Sequence, residues 1–330
     1  MENVLEWVTD GEVPVPANST VGMFVYNVTF ENPEQPSSGG KGWIYFRPSQ
    51  GRTPDQAIVE VPVVEGLVQV TGSVEEGTPV SGLHLKGLVF EQGGWMAPSG
   101  EQGFIDNQSG WFYSAAGQAP TPSQVTMAGA LDSSITGCVF RRMGSAALWV
   151  TNSSQRVIIS NNWFTDLSGG AITVGTVMDN HQTNETLQSA GFVVEDNYIS
   201  DTPVEYHSCA GILAGYVRDT VIQNNDVGDT ANTGISVGWG WGATNYMRNN
   251  TIQQNLVHGS NWLLKDGGSI YTLSAQPDSV MRWNYIYNQK RLFGSLYHDQ
   301  GSAFYHTYQN VVENVQEVSS FQTDPVEAPN

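Results

Sequence analysis

Ile135-Thr-Gly-Cys138-Val-Phe140, Ile159-Ser-Asn-Asn162-Trp-Phe164, Val194-Glu-Asp-Asn197-Tyr-Ile199, Ile222-Gln-Asn-Asn225-Asp-Val227, Ile252-Gln-Gln-Asn255-Leu-Val257 and Met281-Arg-Trp-Asn284-Tyr-Ile286 are copies of one phrase. Each starts on an apolar residue, takes a polar step, places Asn (Cys in the first copy) at its fourth position and closes on an apolar residue at its sixth. A weak copy follows at Asn310-Val-Val312, and an earlier one without Asn is Leu83-His-Leu-Lys-Gly-Leu-Val-Phe90. From Cys138 the anchors advance by 24, 35, 28, 30, 29 and 26 residues, a spacing too regular for isolated turns and too variable for a strict helical period.

A repeat of this length is one turn of a solenoid: it cannot bury its apolar face alone and does so by stacking on its neighbours. Asn at one recurring bend predicts a ladder of side-chain amides, because an amide both donates and accepts. The flanking apolar residues then point inward, and insertions go to the turns. A second strand recurs about ten residues after the anchors, as Gly170-Ala-Ile-Thr-Val-Gly175, Gly211-Ile-Leu-Ala-Gly215, Gly234-Ile-Ser-Val-Gly238 and Gly268-Ser-Ile-Tyr271. The fold class expected is therefore all-β, a parallel β-helix over residues 67–315. A β-sandwich would instead show polar and apolar alternation on its exposed faces. Residues 1–66 lack the repeat. Strand-like runs at Val21–Tyr26 and Gly42–Phe46 around a Pro/Gly loop predict a small antiparallel β cap, which a solenoid end needs to shield its strand edges. Residues 316–330 read as a polar, mobile tail.

Composition narrows function. The net charge of −19 with 13 Lys plus Arg argues against nucleic acid, whose phosphates need clustered cations, and weakens a case for uronate-rich substrates. No stretch approaches the roughly 20 apolar residues of a membrane span. There is no zinc-type His/Cys pair, P-loop or Gly-Asp calcium repeat, so no metal or cofactor is expected. Cys138 and Cys209 fall two coils apart, beyond disulfide reach, and are expected as buried free thiols. The first residues do not form a signal peptide. Asn-x-Ser/Thr acceptors at Asn18, Asn27, Asn107, Asn152, Asn184 and Asn249 give slight support for an extracellular protein.

Two consecutive coils carry a similar acidic phrase, Asp266-Gly-Gly-Ser269 and Asp299-Gln-Gly-Ser302. If these phrases stack, their carboxylates lie about one strand spacing apart, roughly 5 Å. Two such charges repel, which a purely structural protein avoids, whereas a glycosidase uses one carboxyl as acid and the other as nucleophile or base. The glycines would open the backbone to a ligand. A spacing near 5 Å further implies retention of configuration, with Asp266 as nucleophile and Asp299 as acid. Upstream, Gly234-Ile-Ser-Val-Gly-Trp239-Gly-Trp241 offers two indoles at i and i+2 as a sugar platform. Tyr271, His207, Trp95 and Gln108 complete the candidate substrate-binding set.

The run from Trp95 to Asn310, about two-thirds of the chain, resembles the right-handed parallel β-helix glycoside hydrolases, most closely glycoside hydrolase family 141. The resemblance rests on Gly87-Leu-Val-Phe90 with Trp95, Gly234–Trp241, Asp266-Gly-Gly-Ser-Ile-Tyr271 and Asp299-Gln-Gly-Ser302. It implies that the β-helix is right-handed, and it implies action on plant cell-wall glycans, including fucosides and xylan, through a pair of aspartates that correspond to Asp266 and Asp299. Such enzymes are usually longer, with more coils ahead of this region, so further N-terminal coils or a partner subunit are expected companions. The alternatives are a non-catalytic carbohydrate-binding or filament-forming β-helix and, third, a polysaccharide lyase.

Overall fold

The computed structural model describes residues 22–24, 45–47, 62–99, 105–114, 117–291 and 293–322. The chain divides into two units, Met1–Val61 and Pro62–Asn330. In the first, Gly22–Phe24 pairs antiparallel with Tyr45–Arg47, where the strand-like runs were read. The way this element caps the first coil lies outside the described residues.

The second unit is a stack of coils, each contributing one strand to each of three parallel sheets. The first sheet has nine strands, from Val68–Thr71 to Ser319–Phe321; the second and third have eight each. Each coil visits them in the order first, second, third. The last strand lies inside the stretch read as a polar tail from residue 316. It is held there by parallel pairing of Ser319, Ser320 and Phe321 with Leu296, Tyr297 and His298.

The recurring Asn sits at the bend between the second and third sheets. The backbone N–H and the Nδ2 of Asn162 both donate to Asn197 Oδ1, at 3.1 and 2.9 Å, and the pattern repeats from Asn197 to Asn225, Asn255, Asn284 and Asn310. Each Nδ2 also donates to a carbonyl of the preceding coil, as Asn225 does to Val194 at 2.9 Å. The residue before each anchor has positive φ, including Asn161, Asp196, Asn224, Gln254 and Trp283. An L-residue resists that conformation. It is sustained here because it turns each N–H toward the next coil, as from Trp283 to the Gln309 carbonyl at 3.1 Å.

Inside the coils, the residues two past the anchors stack in register. Phe90, Phe140 and Phe164 stack at 4.9 and 4.5 Å between centroids, and Ile199, Val227, Val257, Ile286 and Val312 continue the column. Cys138 takes the ladder position in its coil: its N–H donates to Asn162 Oδ1, and its thiol reaches only weakly toward the Leu85 carbonyl at 3.6 Å. An amide in its place supplies a stronger donor to that carbonyl. Cys138→Asn is therefore expected to raise stability by about 1 kcal/mol, measured as a higher denaturant midpoint at unchanged slope. Both cysteines are buried and free, and burial pushes the Cys209 thiol up to about 12, so it is inert at neutral pH.

Candidate functional site

Side chains alternate along the short strands of the first sheet. Ile235, Ile270 and Leu296 point into the coil. Their neighbours Ser236, Tyr271 and Tyr297 lie in register on the outer face, continuing a column from Trp149, Thr173 and Leu213. This outer face carries a second apolar cluster, with Trp111, Leu213, Tyr216, Trp239, Tyr271 and Tyr297 among its buried members. Trp111 arrives on an inserted antiparallel element of three strands, Ile105–Asp106, Trp111–Ser114 and Gly117–Pro120. The insertion is tied down where Asp106 accepts hydrogen bonds from the Ser208 N–H (3.0 Å) and hydroxyl, and where Gln108 Nε2 donates to Tyr271 Oη at 2.8 Å.

The two aspartates meet at this face but do not stack. Ile270 pairs with Leu296 and Tyr271 with Tyr297, so Gly268-Ser-Ile-Tyr271 stacks on Gly294-Ser-Leu-Tyr297. Asp266 therefore precedes its strand, on the turn from the third sheet, whereas Asp299 follows its strand, on the turn toward the second. The equal-position stacking expected from the two Asp-Gly phrases is corrected, and with it the 5 Å strand-spacing argument for retention. The neighbouring glycines serve packing rather than ligand approach. A Cβ on Gly267 would come within 2.3 Å of Asn232 Oδ1, and one on Gly301, at φ 73°, within 2.3 Å of the Gly242 Cα.

Their environments differ. Asp299 is buried, and both its oxygens accept from phenols: Tyr271 Oη donates to Oδ2, and Tyr297 Oη donates to Oδ1 at 3.2 Å. Asp266 is solvent-exposed and makes no side-chain hydrogen bond among the described residues. Its carboxyl is nevertheless held above the usual Asp range, first by partial desolvation and then by the negative charge of Asp299. Tyr271 and Tyr297 are pushed up mainly by burial, with both aspartates contributing, so they stay protonated donors.

The aromatic candidates separate into two flanks. Trp239 is only 6 % exposed, its ring 6.4 Å from Trp111 and edge-on to Trp241 at 5.0 Å. Trp241 is 41 % exposed and is the outer plane of that pair. They share a turn, not a strand, and this turn packs on Gly301 beside Asp299. Tyr271, read as substrate-binding, is fully buried with its hydroxyl committed to Asp299. Trp95 and His207 lie on the turns from the third sheet. Trp95 meets Tyr206 edge-on at 4.9 Å, and His207 meets the exposed Trp262 at 6.3 Å, in the same turn as Asp266. His207 Nε2 donates to the Val204 carbonyl. Tyr297 and Trp111 were not singled out in the sequence. The repeated Gly-Ser-Ile/Leu-Tyr phrase carried the signal for Tyr297; Trp111, on an insertion, has no periodic signal.

Among the described residues no cluster of His, Cys, Asp and Glu has the makings of a metal site, and no helix is long and apolar enough to cross a membrane. Comparison with solved structures finds a glycoside hydrolase with 26 % sequence identity and a TM-score of 0.72, over 86 % of this chain and 55 % of that one. The chain thus spans about half the length of that structure. The A-module of the Azotobacter vinelandii mannuronan C-5 epimerase AlgE4 matches at 13 % identity and a TM-score of 0.44, over 60 % of this chain and 56 % of its own. A Yersinia enterocolitica family 28 exopolygalacturonase matches at 11 % and 0.25, over 72 % and 61 %. No curated protein sequence matches the chain. The family profile described as the right handed beta helix region matches residues 123–314. With more than half its length matched and three parallel sheets wound coil upon coil, this chain belongs to the right-handed β-helix family.

Proposed function

We propose that the protein hydrolyses a glycosidic bond in a cell-wall polysaccharide or oligosaccharide, as the family 141 glycoside hydrolases that its sequence resembles do, with Asp266 and Asp299 as the catalytic pair. The observation that carries this reading is the convergence of two carboxylates in contrasting settings on one outer face. Asp266 is exposed to an incoming glycan and inclined to hold its proton, which suits a general acid. Asp299 is held in the hydrogen-bonding pattern of a carboxylate, with phenols donating to both oxygens. Pairs of titratable groups whose surroundings separate their protonation supply the acid and base of such reactions. This reverses the roles expected from the sequence. The offset positions, at opposite ends of the strands, also favour the wider separation that admits a water, so the displacement is read as single and inverting. The 26 % identical glycoside hydrolase supports the class of reaction.

The test is incubation with a panel of neutral cell-wall oligosaccharides, followed by release of reducing ends. Proton NMR of the first-formed product then reads its anomer. Inversion of the anomeric centre supports the scheme, retention replaces it by a double displacement, and no release from any member of the panel turns the reading to glycan binding without cleavage. That second reading is favoured by one observation, the commitment of both Asp299 oxygens to tyrosines. Either activity belongs outside the cell, where such glycans are, and the exposed acceptors Asn152, Asn184 and Asn249 suit that location.

Trp241 supplies the exposed plane on the Asp299 flank. Sugar rings lay their C–H faces on such planes, so Trp241→Ala is expected to weaken oligosaccharide affinity about tenfold, or roughly 1.4 kcal/mol. The melting temperature should fall only slightly, because the residue is 41 % exposed and its ring contact is the edge-on one with Trp239. Isothermal titration beside a thermal melt checks both; unchanged affinity removes Trp241 from the site.

A further inference from the structure

Five side chains from four separate stretches form one hydrogen-bonded chain on the outer face. Gln108 Nε2 donates to Tyr271 Oη at 2.8 Å, Tyr271 Oη donates to Asp299 Oδ2, Tyr297 Oη donates to Asp299 Oδ1 at 3.2 Å, and Gln322 Nε2 reaches Tyr297 Oη at 3.4 Å. Direction matters. The Gln108 amide occupies the phenol oxygen of Tyr271 as a donor, so the single phenol proton is directed to Asp299. Tyr271 is 1 % exposed and Asp299 7 %, so water does not readily substitute for either bond. Gln108 comes from the inserted element that also brings Trp111, 163 residues before Tyr271.

We infer that Tyr271 is a positioning residue acting through Asp299, and that the inserted three-strand element sets its direction through Gln108. The inference rests on the catalytic reading of Asp299 and adds to it a control of that carboxylate from outside the coil repeat. A donor to an ionised carboxylate favours the ionised form, and a base must be ionised to accept a proton from water. The groups facing Asp299 are Tyr271 from the preceding coil, Tyr297 from its own strand and, through its charge, Asp266 from the turn on the opposite flank. His298, next in sequence, points into the coil, where its nitrogens meet the hydroxyls of Thr272 and Thr307 and burial lowers it to about 4.

The experiment is a carbon-13 NMR titration of the Asp299 carboxyl, assigned by its disappearance in Asp299→Asn. It is run on the full chain and on Tyr271→Phe, Tyr297→Phe and Gln108→Met. Tyr271→Phe keeps the ring in the aromatic cluster and removes only the donor. Its Asp299 carboxyl is expected to bind a proton at least tenfold more tightly than in the native chain, with a smaller change in Tyr297→Phe, whose bond is longer. In an oligosaccharide assay, the acid limb of kcat should move to higher pH by the same factor while KM holds, a pattern that loss of packing alone does not produce. Gln108→Met is expected to shift the titration in the same direction and by less. It decides the matter if Tyr271→Phe fails to fold. Unchanged titration in folded Tyr271→Phe, or in Gln108→Met where the former does not fold, overturns the inference. The titration needs no substrate, so a shifted midpoint without glycan cleavage overturns only the glycosidase reading, and cleavage with an unshifted midpoint overturns only the relay.

Discussion

Asp266→Asn and Asp299→Asn are each expected to lower glycan turnover by at least 10²–10⁴-fold, the contribution of one positioned acid or base, but their effects on stability should differ. Asp266 is exposed and repelled by Asp299, so its neutral amide should leave the melting temperature unchanged or slightly raised. Asp299 is buried and accepts two phenolic hydrogen bonds. An amide keeps one acceptor and turns a donor toward the other phenol. Hydrogen bonds to charged groups contribute about 1.5–3 kcal/mol, so Asp299→Asn should lose stability of that order. The pH dependence follows from the same arrangement. The proton on Asp266 is held above the usual Asp range and is lost as pH rises, so activity should fall on the alkaline side. In Asp299→Asn the second cause of the Asp266 shift is gone, and the Asp266 carboxyl should titrate at lower pH, readable by NMR without substrate. Full turnover in either variant removes that residue from the catalytic pair.

What could be read from the sequence depended on whether periodicity reported it. The Asn anchors are placed by a rule that every coil obeys, and so they were legible together with the apolar residues that flank them. The aspartates were legible as candidates and illegible in register. The phrase that stacks is Gly-Ser-Ile-Tyr271 upon Gly-Ser-Leu-Tyr297, in which inward Ile270 and Leu296 keep the core continuous. The Asp-Gly resemblance between residues 266 and 299 crosses from one end of the strand to the other, where no packing enforces equivalence. Trp239 was read as an open plane because glycines surround it. It is closed by Trp111 from an insertion that belongs to no coil and leaves no periodic trace. Gln108 and Tyr271 both belong to the candidate set, but the bond between them was illegible, since nothing local links two residues 163 apart. The residues of positive φ before each anchor were equally hidden: Gln254 and Trp283 are poor advertisements for a left-handed turn, and only the inter-coil bonds account for them.

The ladder makes a second large prediction. Asn225 is 1 % exposed, and its side chain serves three coils. Its Oδ1 accepts from the N–H and Nδ2 of Asn197, and its Nδ2 donates to Val194 O and Asn255 Oδ1. Leucine fits the volume and replaces none of these bonds. The Asn197 N–H and the Val194 carbonyl are then buried without their partners, and the amides on either side each lose one bond. An orphaned buried polar group costs about 1–3 kcal/mol, so Asn225→Leu is expected to destabilise by roughly 3–5 kcal/mol, more than a single lost turn contact. Because coils contact only their neighbours, the damage should be local before it is global. Hydrogen exchange should quicken first at the amides of residues 194–199 and 221–227, while the column around Phe140 and Phe164 keeps its protection. Asn225→Asp retains the oxygen that receives Asn197 but turns a second, buried oxygen toward two acceptors, Val194 O and Asn255 Oδ1, and should destabilise at least as much as leucine at neutral pH. An Asn225→Leu protein as stable as the native one, with the exchange pattern intact, would mean that apolar stacking alone holds the coils in register and that the amides contribute no net stability.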